Sequence, residues 1–550
     1  MVWFRGVIYL LLFMPLATGS PAVADDVPPF DWRGFYVGYH LGGALDLTDA
    51  DNPFGASIFG DTVRTPGPLA GGQAGYNWQH GAALFGVEAD ASWADLDGTN
   101  TCFAFSGNYI SANCRVDIDA LGTLAGRLGW ILPADGRTLL YGKLGLAWAD
   151  VDTDATPNGG FVLAGTDDSG IAWGWTVGGG VERAVSPRWT VKAEYGFLSF
   201  DEDFTAPRSR FQTMPPIAAT TAFPAARTDL SHDIHQFKVG MNYKLGAAGA
   251  PDTPDPAAAF HAAGYTLTAG ARYIYGWGQF HKDLGLQGIG LRSLASRLTY
   301  DDDGTHGGEA FARLDTPFGL MVKGLIGGGD SNGTLNDEDW GLPFPTAFIP
   351  YSNTLSTVDN EIDYGIVDVG YAWWRGEGYS VAPFAGYTQF NQDMTGLGCR
   401  QIANRFSDCA VPIPTNVRGI TEDDTWQALR LGAAAEVTVL PRLSLAAEAA
   451  YLPYVKFRGT DDHLLRNLLS PEEGNGTGVQ LEAALSYALT DTLSLGVGGR
   501  YWAMWTTSGN VNFGGTGELV PMRYAVEQAQ LLVQGSYKFG ARPPSKFDLK

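Results

Sequence analysis

Side chains that alternate apolar and polar, segment after segment, constrain this chain more than any other feature. In Trp189-Thr190-Val191-Lys192-Ala193-Glu194-Tyr195, Trp, Val, Ala and Tyr fall on one face and Thr, Lys and Glu on the other. Leu493-Ser494-Leu495-Gly496-Val497-Gly498-Gly499-Arg500-Tyr501 repeats the pattern, with Ser494 and Arg500 on the polar side. A strand has a side-chain period of two, so each run is apolar on one face only. After the N-terminal segment, no apolar run is long enough to predict a spanning helix. A soluble sandwich uses the same alternation. An exported chain rich in Gly, Tyr and Trp fits better with a membrane barrel, apolar toward lipid and polar toward its lumen.

Export is read from the first residues. Arg5 supplies a positive start, Val7 to Leu16 an apolar stretch, and Ala22-Val23-Ala24 the small residues before a cut, which predicts a signal peptide over residues 1–24. The net charge of −23 has no basic stripe to offset it, which argues against a nucleic-acid partner. The four cysteines fall as two local pairs, Cys102 with Cys114 and Cys399 with Cys409, each inside an expected long loop. In an exported chain this reads as two loop disulfides, the alternative being free thiols.

The alternation comes in two arrays. Residues 246–259 are rich in Ala, Gly and Pro and do not alternate, so they are expected to be a linker between residues 25–245 and 260–550. The first array contains eight candidate strands and the second ten. Tight turns, such as 186–188 and 441–442, take turns with long connections such as 97–114, 201–233, 330–360, 391–422, 459–477 and 509–521. That habit predicts an all-β chain of two tandem transmembrane antiparallel β-barrels, eight-stranded and then ten-stranded. One larger barrel is the alternative; Met241 to Leu245 reads as a closing strand and favours two. Trp373, Trp374, Trp502 and Trp505 are assigned to aromatic girdles, and the lone His306 to a lumen or loop position.

Specific motifs add resemblances. Trp32-Arg33-Gly34-Phe35-Tyr36-Val37-Gly38, Gly71 to Trp78, Phe85 to Asp90, Gly122 to Gly129 and Gly174 to Glu182 resemble the eight-stranded porin-like surface-antigen proteins of alphaproteobacterial outer membranes. That resemblance implies a closed barrel, no established chemistry and an outer-membrane location. A barrel of this size is filled by its own side chains, so no working pore is expected. The second array resembles, more distantly, the omptin type of outer-membrane endopeptidase. Asp337-Glu338-Asp339-Trp340 matches that family's Asp-x-Asp-Trp, Asp461-Asp462-His463 matches its Asp-x-His, and Ser296 to Tyr300 sits where the family has a similar second-strand segment.

The omptin resemblance implies catalytic roles for Asp337, Asp339, Asp461 and His463. Asp461 would orient the imidazole, His463 would take a proton from water, and Asp337 and Asp339 would hold that water. Mutual repulsion among these acids would raise some of their pKa values. Topology supports the grouping independently. Four expected strands separate Asp339 from Asp461, and an even number of crossings returns the chain to the same, long-loop end. Each motif alone reads as a solvated loop, because Asp-x-Asp recurs at Asp95/Asp97, Asp117/Asp119 and Asp201/Asp203, and Asp-x-His at Asp233/His235. No cofactor is expected, and three carboxylates with one His leave metal binding as an alternative. The resemblance brings lipopolysaccharide as an activating lipid, outer-membrane lipid as surroundings and peptides or proteins as substrates. The family's acids for a basic P1 side chain align with Gly278 and Gly459, so no strong preference for Arg or Lys is expected. The competing function is a non-catalytic surface antigen, adhesin or envelope-structural barrel.

Overall fold

The computed structural model describes residues 30–539, apart from 52–59, 104–110, 134–135, 160–164, 208, 213–219, 224, 246–263, 287–288, 341–342, 345–346, 349–351, 377 and 404–407. The expected signal peptide and linker lie outside the described residues. Eight antiparallel strands close the first ring: β1 (Gly34–Ala50), β2 (Thr62–His80), β3 (Ala83–Cys102), β4 (Ala112–Ile131), β5 (Thr138–Pro157), β6 (Thr166–Ala184), β7 (Trp189–Ala206) and β8 (Ala226–Lys244). β8 pairs with β1 to complete the circle. The second ring holds β9 (Thr266–Leu286), β10 (Gly290–Asp302), β11 (Thr305–Asp315), β12 (Leu320–Asp339), β13 (Ser352–Tyr371), β14 (Tyr379–Gln401), β15 (Ile413–Leu440), β16 (Leu443–His463), β17 (Leu468–Ala488), β18 (Leu493–Asn512) and β19 (Leu519–Phe539). β10 and β11 both lie between β9 and β12, one above the other, so they share one of ten positions; β19 closes on β9.

The strands are longer than the alternation suggested. Much of what reads as long loop is barrel wall: 330–339, 352–360, 391–401, 413–422, 459–463 and 468–477 are all strand. A membrane needs only roughly 9–11 residues per strand. The apolar outer face lies mostly in the halves near the short turns, as at Val37, Leu128, Leu144, Tyr273, Tyr275, Val497 and Val533. Above that belt no lipid demands an apolar face, so alternation fades while the backbone ladder continues.

Both lumens are packed with paired charges. In the first barrel Arg127 donates to Glu182 at 2.6 Å and to the Tyr36 hydroxyl at 2.9 Å, while Lys143 and Lys192 reach Glu88 at 2.8 and 3.1 Å. In the second, Arg500 bonds Glu309 and Glu482, each at 2.6 Å. Trp502 packs inside that barrel edge-on to Tyr364, with its ring 4.9 Å from the Arg500 guanidinium, so it is not a girdle residue. Trp505 is on the outer face but buried with Val479 and Ala525, and Trp374 packs into an apolar cluster between the barrels. Of the four, Trp373 is exposed. His306 sits on the outer face, where the Tyr273 hydroxyl meets its Nδ1 at 2.6 Å, rather than in a lumen or loop.

The barrels lie side by side. Near the short turns Val185, Val191, Val239 and Met241 of the first pack with Val381, Ala435 and Ala447 of the second. Midway, Gly43 allows close approach: a Cβ there would stand 2.7 Å from Val479. Higher up, Arg64 pairs with Glu527 at 2.9 Å and Arg523 with Asp97 at 2.5 Å. The seam thus passes from β7 and β8 through β1 and β2 to β3 and β4 on one barrel, and from β14–β16 through β17 and β19 to β9, β10 and β12 on the other, because tilted strands cross any line drawn up the wall.

Arg127→Met strips Glu88 and Glu182 of their shared guanidinium. We expect it to destabilise the first barrel by about 3–5 kcal/mol, read from urea unfolding in lipid vesicles followed by gel mobility of the folded form.

Candidate active site

β12 ends in Asp337-Glu338-Asp339, and its pairing with β10 sets Leu298 opposite Asp337, Arg297 opposite Glu338 and Ser296 opposite Asp339. Alternation turns Asp337 and Asp339 toward the lumen and Glu338 outward, where it meets Thr101 of the first barrel. The next residue, Trp340, anchors this end: its N–H donates to the Ala295 carbonyl at 2.8 Å and its ring is buried against Leu294. β16 ends in Gly459-Thr460-Asp461-Asp462-His463, with Asp461 buried and His463 half-buried. β12 and β16 both run upward, so their ends share the rim beyond the lipid belt.

His463 Nδ1 lies 2.9 Å from Asp461 Oδ1. The ring is not aligned for a straight hydrogen bond, so the pair is an electrostatic contact. Burial pushes the Asp337 carboxyl well above the usual carboxylate range; Asp339 and Asp461 push the same way and Arg466 opposes them. Asp339 is also raised by burial, against the pull of a hydrogen bond from Ser296, of Arg466 and of His463. The four side chains therefore share one electrostatic neighbourhood, in which the Asp337–Asp339 couple retains a proton more readily than an ordinary pair. At the rim Arg466 pairs with Asp408, beside the Cys399–Cys409 disulfide; Cys102 is likewise bonded to Cys114.

Beneath Asp461 sits a cation that no motif announced. Lys282 of β9 is buried and donates to Asp461 at 2.7 Å, to Glu472 at 3.1 Å and to Glu422. Burial works against its charge, but the three carboxylates raise its pKa well above the ordinary lysine value. Burial pushes Asp461 up, yet Lys282 and His463 outweigh it and bring its pKa down to about 2. Burial raises the pKa of Glu422, Asp424 and Glu472; Asp461 adds to the rise at Glu422, Glu422 and Glu472 at Asp424, and Glu422 and Asp461 at Glu472, while Lys282 opposes it at all three. Glu422, Asp424 and Glu472 place carboxylate oxygens within 4.8 Å of one another, a spacing that suits a metal, but the Lys282 ammonium already stands among them. A Cβ on Gly459 would lie 2.4 Å from Asp424 Oδ1, so neighbouring strands bring acids to the place where that position itself has none. Gly278 is likewise crowded, against Gln528. The sequence carried one signal for this cluster: Glu422 and Asp424 are two apart, on the same strand face.

Residues 10–244 match the outer membrane protein beta-barrel domain, and residues 313–516 match the omptin family. The chain carries an outer-membrane β-barrel domain followed by an omptin-family domain. The first domain is similar to the 31 kDa outer-membrane immunogenic protein of Brucella melitensis, 29% identical over 233 residues, which is 41% of this chain and 89% of that protein. It is also similar to the 22 kDa outer membrane protein of Rhizobium leguminosarum, 32% identical over 183 residues, 32% of this chain and 66% of the relative. Among solved structures, the outer membrane protease OmpT of Escherichia coli aligns with 51% of this chain and 100% of its own, at 12% identity and a TM-score of 0.44. The chain is an outer-membrane β-barrel protein.

Lys282→Met removes the charge that keeps Asp461 ionised. We expect the Asp461 carboxyl, followed by carbon NMR, to titrate upward from about 2 toward or beyond its ordinary 3.8. The sign for stability follows: a depressed folded pKa stabilises above 3.8 and is lost as pH falls toward 2. The wild type should lose stability across that window, and the variant should lack that part of the loss.

Proposed function

We propose that the second barrel is a surface endopeptidase in which Asp461 and His463 activate a water against a peptide carbonyl, with Asp337 and Asp339 holding that water from the opposite wall. The observation that carries this reading is the 2.9 Å Asp461–His463 contact on the same rim as the inward-facing acid couple. The omptin-family match over 313–516 supports it.

Asp461, kept anionic by Lys282, accepts from His463 Nδ1–H and leaves Nε2 free to take a proton. Nε2 removes a proton from water as its oxygen bonds to the scissile carbonyl carbon. The imidazolium is stabilised by Asp461; the Asp337–Asp339 couple accepts a hydrogen bond from the attacking water, and its shared proton donates to the tetrahedral oxyanion. The C–N bond breaks as His463 returns its proton to the leaving nitrogen, giving a carboxylic acid and an amine. Outer-membrane lipid is the medium, and lipopolysaccharide is the lipid in which activity is sought.

His463→Ala should lower kcat/KM for a cleaved peptide by about 10²–10⁴-fold, measured on protein refolded with lipopolysaccharide and screened against a mixed peptide library. Cleavage that survives the substitution rejects the mechanism. If the wild type cuts nothing, the chain is better read as a non-catalytic surface antigen, in keeping with the immunogenic relatives of its first barrel. The same library tests specificity. Lys282 already pairs with the acids around Gly459, so peptides with Arg or Lys at P1 should not exceed neutral ones by more than about tenfold.

A further inference from the structure

We propose that the first barrel is a brace that positions the Asp337–Asp339 couple, acting through its β3–β4 hairpin on the back of β12. This rests on the site proposed above. On the rim strands of the second barrel, inward and outward residues alternate: Asp337 and Asp339 face the lumen while Glu338 faces out, and Lys282 faces in while Asp283 faces out. Between β9 and β12, Arg297 of β10 also faces out. In a solitary barrel these outward charges, above the lipid belt, would meet water. Here Asp283, Arg297 and Glu338 are 1%, 2% and 5% exposed, because the first barrel covers them.

Buried charges demand partners, and the first barrel provides part of the set. Arg297 grips Asp283 with two bonds, Nε to Oδ1 at 2.6 Å and Nη2 to Oδ2 at 2.9 Å. Its other bonds cross the seam, to Thr101 Oγ1 at 3.1 Å, Thr99 Oγ1 at 3.2 Å and Asn113 Oδ1 at 2.8 Å. Each threonine hydroxyl accepts from Arg297 and donates onward: Thr99 to Asp283 at 2.7 Å and Thr101 to Glu338 at 2.9 Å. Thr101 and Asn113 face each other across the hairpin, one residue short of the Cys102–Cys114 disulfide. The result is a hydrogen-bonded chain from a disulfide-closed hairpin to the residue between the two site acids. Acid couples and general bases lose rate steeply when displaced by an ångström or so, and on the outer side of this strand end the Thr101 bond acts beside the Asn353 amide on Glu338 and the buried Trp340 ring.

The test uses the full chain in lipopolysaccharide-containing vesicles. Thr99→Val/Thr101→Val keeps side-chain shape but can neither donate nor accept; Thr99→Ser/Thr101→Ser keeps both functions. The valine pair should lower kcat tenfold or more with KM within twofold, and should speed amide exchange at residues 335–339 at least tenfold. The serine pair should restore both to within twofold of wild type. If the valine pair fails to fold, Thr101→Val alone is read on the same scales with smaller changes. Wild-type kcat and exchange in a folded valine variant, or equal losses in the serine pair, would overturn the brace. Should the wild type cleave nothing, the endopeptidase reading fails and exchange alone decides: faster exchange in the valine pair, restored by serine, still supports the brace, and unchanged exchange rejects it.

Discussion

Everything in this molecule depends on closing the backbone ladder. In a bilayer an unpaired N–H or C=O has no water to turn to, so a sheet that crosses lipid must have no edge. β8 returns to β1 and β19 returns to β9, and these two seams make both walls self-sufficient. Closure also sets what a side chain can do. Once the ring is shut, each residue faces either the lumen or the outside, with no third choice.

The lumens then present a problem of their own. Narrow rings bury whatever points inward, and in this acidic chain that includes many carboxylates. They are met by Arg and Lys from other strands, as Arg127 and Lys143 meet Glu88 and Glu182, and as Arg500 meets Glu309 and Glu482. In the second barrel the same type of pairing continues upward until it touches the rim, where Lys282 joins Asp461 to Glu422 and Glu472. The group that fills the lumen is thus also the group that sets the charge state of the candidate site.

The outer faces follow the environment at each height. Low on the wall, the barrels meet through Val, Ala and Met; higher, through ion pairs and hydroxyls. The change from apolar to polar contact marks the top of the lipid belt. It also explains why strand alternation is clear near the short turns and weak in the upper wall, and why 330–360 or 459–477 read as loops when most of their residues are paired strand.

Period-two patterning by itself determined the class of fold, the tandem rings and the inward direction of Lys192, Glu194 and Arg500, because closure leaves alternation only one meaning. Parity of crossings determined that the ends carrying Asp339 and Asp461 share a rim, and local spacing that Asp461 and His463 share a face. Burial by a neighbour was not legible. Trp502 and Trp505 read as girdle residues, but a lumen claims one and the other is buried with Val479, Ala503 and Ala525. Lys282, Glu422 and Glu472 are distant in sequence and meet only because three strands converge across a narrow lumen. Thr101 belongs to one domain and Arg297 and Glu338 to the other, and the three meet only where tilted walls touch. Alternation is a local property that any strand carries in its own residues; these encounters depend on ring size, tilt and docking, which exist only once the whole chain has closed.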